Sequence, residues 1–324
     1  MGSSSNAAKS GGSTARAGTK YIAILASAAA AAALLTAPVQ GQAVDQRAPA
    51  PAAAASVNLN ITPKRLILDR STRAGTVYIF NQGTAPATFD IALVERVMLP
   101  TGEIQPVSEA SADPALQPLI ARLASAQSLL VAAPRRVTLA PGRGQTIRVR
   151  ATHPAGETGE YRTHLTVTTI PPRESGVSAE QAQGPTTDQL SFRINSVFGL
   201  SIPIIVRQGA VDARAAIENI QVEYANISPD GVSPAVRTPV LRLDIRRLGT
   251  SSLFGNVEIA GVRGRRREPI GLARGVGVYP EIDKRTMVIP LGRAPRPGEQ
   301  VEVTFTDDDS VPGRVIARSS LTGS

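Results

Sequence analysis

The sequence predicts an all-β protein built as two β-sandwiches, and three features of its 324 residues carry that expectation. Short apolar/polar alternating runs recur along the chain. Turn chemistry rich in Gly, Pro, Asn and Asp separates them, and almost nothing reads as helix. The length suits two domains.

The longest alternating run is Leu190 to Val206, L-S-F-R-I-N-S-V-F-G-L-S-I-P-I-I-V, with apolar residues at Leu190, Phe192, Ile194, Phe198, Leu200, Ile202 and Ile204. Only Ser196 interrupts the series. Period two means a strand with one apolar face. These 17 residues would span roughly 55 Å at about 3.3 Å each. Gly199 is placed to bend or bulge the strand, and Pro203 cannot donate a ladder bond, which suits an edge. An exposed apolar edge invites aggregation, so two readings stand: an ordinary core strand, or an edge lent to another chain.

From the start, Lys9, Arg16 and Lys20 precede an apolar run from Tyr21 to Val39, followed by Gly41-Gln42-Ala43. This is the layout of a secretory signal peptide cleaved after Ala43, with an uncleaved anchor as the alternative. The run is alanine-rich and poor as a permanent span. Residues 44–56 read as a flexible lead-in. Val57 to Leu68 reads as two short strands broken at Pro63. Strands follow over Thr76–Phe80 and Ala87–Val97, then a short helix between Ala112 and Ala126, where Leu116, Leu119, Ile120 and Leu123 share a face. Arg136–Leu139, Gln145–Ala151 and Tyr161–Ile170 are strands, and Pro171–Asp188 is a long loop. After the long run, Arg207-Gln208-Gly209 marks a boundary. Strands are then expected over 217–227, 240–248, 254–260, 286–291, 300–306 and 314–317. The expected division is 1–43 signal peptide, 44–56 lead-in, 57–208 first sandwich, 209–319 second, and 320–324 a frayed tail.

Composition narrows function. There is no cysteine, so no thiol nucleophile or disulfide is available. A net charge of +9 with 3% aromatics and no tryptophan fits a diffuse positive surface better than nucleic-acid binding. No G-x-S-x-G elbow, H-E-x-x-H or phosphate loop is present. The two histidines, His153 and His164, read as structural or surface residues. Asp307-Asp308-Asp309 reads as a turn or ion-pair acceptor, with calcium as the alternative. Arg263-Gly264-Arg265-Arg266-Arg267 reads as a solvated hairpin tip or a contact for an acidic partner. The expectation is no enzyme, no catalytic residues, no metal and no cofactor.

Four segments resemble the periplasmic chaperones of the chaperone–usher pilus family: T-P-K-R-L-I-L at 62–68, P-R-R-V-T-L-A-P-G-R-G-Q-T-I-R-V at 134–149, G-E-Y-R-T-H-L-T-V-T-T-I-P-P-R at 159–173, and the alternating strand up to Val206-Arg207. The resemblance covers most of Val57 to about Ala317 and is stronger in the first domain. It implies two immunoglobulin-like domains in a boomerang arrangement. The first would lend its seventh strand to an incomplete pilin-like subunit, later passed to an outer-membrane usher. Phe192, Ile194 and Phe198 would fill the client groove, with Leu190 and Leu200 at its margins. Arg65 would hold the client's terminal carboxylate; its alternative is an exposed edge arginine. The family's partner lysine is absent, since Pro203 or Ser201 stands in its place, so Arg65 would act with Ser201 or Lys64, or the client would be held differently. Glu160, Arg207 and Asp308 would form interdomain ion pairs. Whether client-free molecules pair with one another to hide the strand is left open. The competing reading is a structural two-sandwich component of the cell surface or fibre.

Overall fold

A computed structural model describes residues 58–153, 158–171 and 197–322. The signal peptide and lead-in, and Leu190, Phe192 and Ile194, lie outside the described residues.

The first sandwich opens with β1 (Leu59–Thr62) and β2 (Leu66–Leu68), then β3 (Ala74–Asn81) and β4 (Ala87–Val94). A hairpin of β5 (Arg96–Met98) and β6 (Ile104–Pro106) follows, with two short helices, α1 (Val107–Ala110) and α2 (Gln117–Ala121). The chain returns through β7 (Leu130–Ala133), β8 (Arg136–Leu139), β9 (Gly144–Ala151), β10 (Gly159–Ile170) and β11 (Gly199–Gln208). One sheet has the order β1-β3-β9-β7, the other β2-β11-β10-β4-β8.

Two of the changes from one sheet to the other, β1 to β2 and β7 to β8, follow a proline. Pro63 separates β1 from β2, and Pro134 separates β7 from β8; both peptides are cis. A residue without an N–H cannot continue the ladder, so pairing stops there and resumes in the facing sheet. β2 then runs parallel to β11. The core between the sheets takes alternate residues from each strand, among them Val77, Ile79, Phe89, Ile147, Val149, Leu165 and Val167. Each such side chain contributes about 1.5–3 kcal/mol of burial.

The second sandwich contains β12 (Ala215–Ile227), β13 (Val236–Arg247), β14 (Leu253–Arg263), β15 (Arg266–Val278), β16 (Lys284–Pro290), β17 (Gln300–Asp307) and β18 (Val315–Thr322). Its sheets have the orders β12-β13-β16 and β15-β14-β17-β18. Ser320 to Thr322, expected as a frayed tail, complete β18, and Thr322 lies opposite Gln300. β6, β7 and β15 answer to no expected strand. The helix expected between Ala112 and Ala126 is confined to α2 and short turns around it.

The apolar core of the second sandwich reaches into the first. Met98 and Ile205 belong to the same buried cluster as Leu241, Leu243, Val257 and Phe305, and Ile67, Ile104 and Leu119 pack against it. Ile205 points away from its neighbours Ile204 and Val206, which face the first core. β11 is therefore buried on both faces near its end. Gly209, with φ of +93°, turns the chain out of it.

One polar cluster sits within the second sandwich. The β12–β13 register shifts between Glu218 and Gln221, and Asn219 takes φ of 53° there. Its amide donates to Asp244 Oδ2 at 2.8 Å, as does Lys284 Nζ at 2.7 Å, and Thr286 Oγ1 donates to Oδ1 at 2.6 Å. Burial works against the Asp244 charge, but these hydrogen bonds outweigh it and hold its pKa down to about 2. A depressed carboxylate stabilises the fold above its ordinary range near 4, and that contribution is lost as pH falls through about 2. Urea titrations of the native protein between pH 5 and pH 2 should show this decline. Asp244→Asn should be less stable by about 1–2 kcal/mol at neutral pH and show a shallower decline over the same interval.

Candidate strand edge and its ionic cluster

β10 pairs with β11 without interruption from Thr168↔Gly199 to Gly159↔Gln208. Just before this ladder, the Thr169 N–H donates to Phe198 O at 2.8 Å. Main-chain groups alternate in direction along an antiparallel strand. Those of Phe198, Leu200, Ile202 and Ile204 therefore face β10, and those of Gly199, Ser201, Pro203 and Ile205 face the other way. β2 covers that outer side only at Ile204, Ile205 and Val206. Among the described residues, no strand pairs with the outer edge of Gly199 to Pro203. Pro203 supplies a carbonyl but no N–H, so the open edge offers donors at Gly199 and Ser201 alone.

The side chains alternate in the same way. Ile202 and Ile204 are fully enclosed in the first sandwich, and Leu200 packs beside them. Leu200, expected at the margin of a client groove, is therefore turned largely into its own core. Phe198 is 53% exposed and continues the row beyond it. Ser201 Oγ is 2.8 Å from Thr166 Oγ1 on β10, so its hydroxyl is engaged and does not assist Arg65. Lys64 Nζ donates to Asn60 Oδ1 at 3.3 Å.

Below the open edge lies a cluster of charges. Arg207, at the end of β11, donates from Nε to Glu160 Oε2 at 2.9 Å and from Nη2 to Asp309 Oδ2 at 2.5 Å. Nη2 also lies 3.3 Å from Ser252 Oγ, and the Ser252 N–H donates to Glu160 Oε2 at 3.2 Å. Arg65, immediately before β2, donates to the same Asp309 oxygen at 3.3 Å and lies over the Phe254 ring at 4.3 Å. The aspartate that joins Arg207 is thus Asp309, not Asp308. Asp308 is exposed and ties in through its N–H to Phe254 O. Asp307 is consumed by its own turn, accepting from the N–H groups of Asp309, Ser310 and Val311 and from Arg314.

The two arginines are not equally served. Burial opposes the charge of both. For Arg207 the hydrogen bonds and charges of Asp309 and Glu160 outweigh burial and raise its pKa. For Arg65 burial prevails over Asp309, and its pKa is lowered. The Arg65 Nε and Nη1 groups are buried without a hydrogen-bond partner among the described residues. A guanidinium with spare donors in that state favours an added carboxylate, whose two oxygens match its fork.

A second charged contact joins the sandwiches on the outer face of β10. Arg162 pairs with Glu281, with both side chains at 2% exposure or less. Glu281 Oε1 also accepts the Met98 N–H at 2.8 Å, Arg162 donates to Arg96 O at 3.2 Å, and its guanidinium lies 3.9 Å over the Tyr279 ring. His164 stands beside it. Burial, then the charges of Arg162 and Arg96, push its pKa down to about 2, so the ring is neutral. Among the described residues, no group of histidine, aspartate and glutamate has the arrangement of a metal site, and no helix is long and apolar enough to cross a membrane.

The fold and the site together define a two-sandwich protein with an unpaired strand edge above a buried, partly unsatisfied arginine. No family model and no curated protein matches the chain. Solved structures are similar to it. They include the E. coli chaperone DraB, at 13% identity over 83% of this chain and 96% of that one, with a TM-score of 0.39. The Pseudomonas aeruginosa CupB2 chaperone matches at 11% identity over 81% of this chain and 98% of that one, with a TM-score of 0.38. The Salmonella enterica SafA pilin in complex with the SafB chaperone gives 11% identity, 84% and 99% coverage, and a TM-score of 0.38.

Proposed function

We propose that the protein is a periplasmic chaperone that completes the fold of a pilin-like subunit by lending it the edge of β11, and that it delivers the subunit to an outer-membrane usher. The observation that carries this reading is the edge from Gly199 to Pro203, which no strand covers among the described residues, β2 reaching only Ile204 to Val206. A client strand would extend the five-stranded sheet there, and strand addition supplies main-chain bonds regardless of client sequence. The exposed ring of Phe198 supplies an apolar contact beside the edge. Arg65 would receive the client's terminal carboxylate on its free Nε and Nη1 groups. Glu160, Arg207 and Asp309 would fix the elbow on which that pocket depends.

Ser201→Pro tests the edge. The Ser201 N–H faces away from β10, so proline there spares the internal ladder and removes one of the two edge donors. Co-expressed with its fibre subunit, the native protein should be recovered as a soluble one-to-one complex. The variant should lose at least tenfold in capture while keeping its unfolding midpoint. A native protein that assembles with itself into fibres and captures no subunit would instead mark a structural component.

A further inference from the structure

The five-residue arginine run plays no part in the strand edge, and its placement gives it another use. β14 starts beside the ionic cluster, where Ser252 meets Glu160, and runs outward to Arg263. At about 3.3 Å per residue its 11 residues carry the β14–β15 hairpin roughly 30 Å from the elbow. Arg263 and Arg266 face each other across the turn, with Gly264 at φ of +60° between them. Only a residue without a Cβ adopts that angle freely, so the turn is tight and its arginines are thrown outward.

Arg267 is neutralised by Glu258 and Glu302. Arg263, Arg265 and Arg266 are exposed and make no ion pair among the described residues. The nearby Glu268 and Glu299 are both paired with Arg293.

The β12–β13 hairpin ends at the same pole. The Leu291 N–H donates to Pro239 O on β13, and the next N–H, of Gly292, donates to Ile270 O on β15. Both hairpins project beyond this one crossover. The tip of the second carries Val232, 92% exposed, and Val236, 57% exposed. Its acid, Asp230, is exposed and accepts the N–H groups of Val232 and Ser233 at 3.0 and 2.6 Å, so its carboxylate is engaged by its own turn. Arg237 stacks 4.3 Å over the half-exposed Tyr224 ring beside it.

We propose that this pole docks on an anionic phospholipid surface, with Arg263, Arg265 and Arg266 against headgroup phosphates and Val232 dipping into the interface. Unpaired arginines alone would suit any polyanion. The exposed apolar tip of the second hairpin, its acid engaged by the turn's own N–H groups, is what a soluble polymer does not use and a bilayer interface does. The pole lies at the opposite end of β14 from the open edge of β11, so docking leaves that edge free and the two proposals fail separately.

The test uses the protein recovered after expression of the full-length sequence, native and variants processed alike, in co-sedimentation with vesicles. The native protein should bind phosphatidylethanolamine vesicles containing phosphatidylglycerol, less so as salt rises, and should not bind phosphatidylcholine vesicles. R263Q/R265Q/R266Q should weaken binding about a hundredfold, at roughly a factor of five per charge. R263K/R265K/R266K should retain it, because a membrane reads charge rather than guanidinium shape. V232D should weaken vesicle binding about tenfold and leave binding to soluble polyphosphate unchanged. Equal binding to both vesicle types, loss in the lysine variant as large as in the glutamine variant, or binding to polyphosphate without binding to vesicles would each overturn the proposal.

Discussion

Arg162→Leu should destabilise the protein by about 3–5 kcal/mol, the cost of leaving a buried carboxylate without its cation. Glu281 is almost fully enclosed, and with Arg162 gone it keeps only the Met98 N–H. The stacked Tyr279 ring would lose its guanidinium as well. The double variant Arg162→Leu/Glu281→Leu should recover most of the loss, since two apolar groups of similar volume replace a desolvated pair. Chemical denaturation of the two variants checks both statements. A single variant within 1 kcal/mol of the native protein would show that Glu281 finds another donor.

Arg65→Ala should weaken capture of the subunit by about a hundredfold or more. Truncating one side of a buried, hydrogen-bonded charge pair typically costs 2–5 kcal/mol in binding. The effect on folding should be much smaller. Asp309 retains its 2.5 Å bond to Arg207, so no carboxylate is orphaned. Arg65→Lys should not restore capture, because a single ammonium cannot present the two-pronged donor. Isothermal titration with a synthetic peptide of the subunit's C-terminal strand, as free acid and as amide, locates the effect. The native protein should prefer the acid and the alanine variant should not. Equal affinities of native and Arg65→Ala for the acid would remove Arg65 from the site.

Much of the architecture was legible because sandwich strands carry their burial as a two-residue rhythm. Phe89 and Ile91, Ile147 and Val149, and Val301 and Val303 announce their strands. β15 carries no such rhythm. Its Gly271, Gly275 and Gly277 and its arginines at 266, 267 and 274 look like a loop, and it is a strand only because β14 supplies a full partner ladder. The polar row of β10 misleads in the opposite way. Arg162 and His164 alternate with Thr163 and Leu165 as if facing water, whereas the second sandwich covers them through Tyr279 and Glu281. Those partners stand more than a hundred residues away, and no local pattern points to them.

The site was legible in part. The edge character of β11 follows from Pro203, and Arg65, Glu160 and Arg207 do gather at one place. Which of three successive aspartates joins them is decided by the turn itself. Asp307 gathers the N–H groups that follow it, Asp308 swings outward, and Asp309 is left facing Arg207. Chain order alone does not distinguish three identical side chains.

Met98 and Ile205 act as plugs lent by one half of the molecule to the other. Severed near Gly209, the second half would expose a greasy socket and the first would carry two misplaced stoppers. The two halves therefore hold together as one piece rather than as two separable beads.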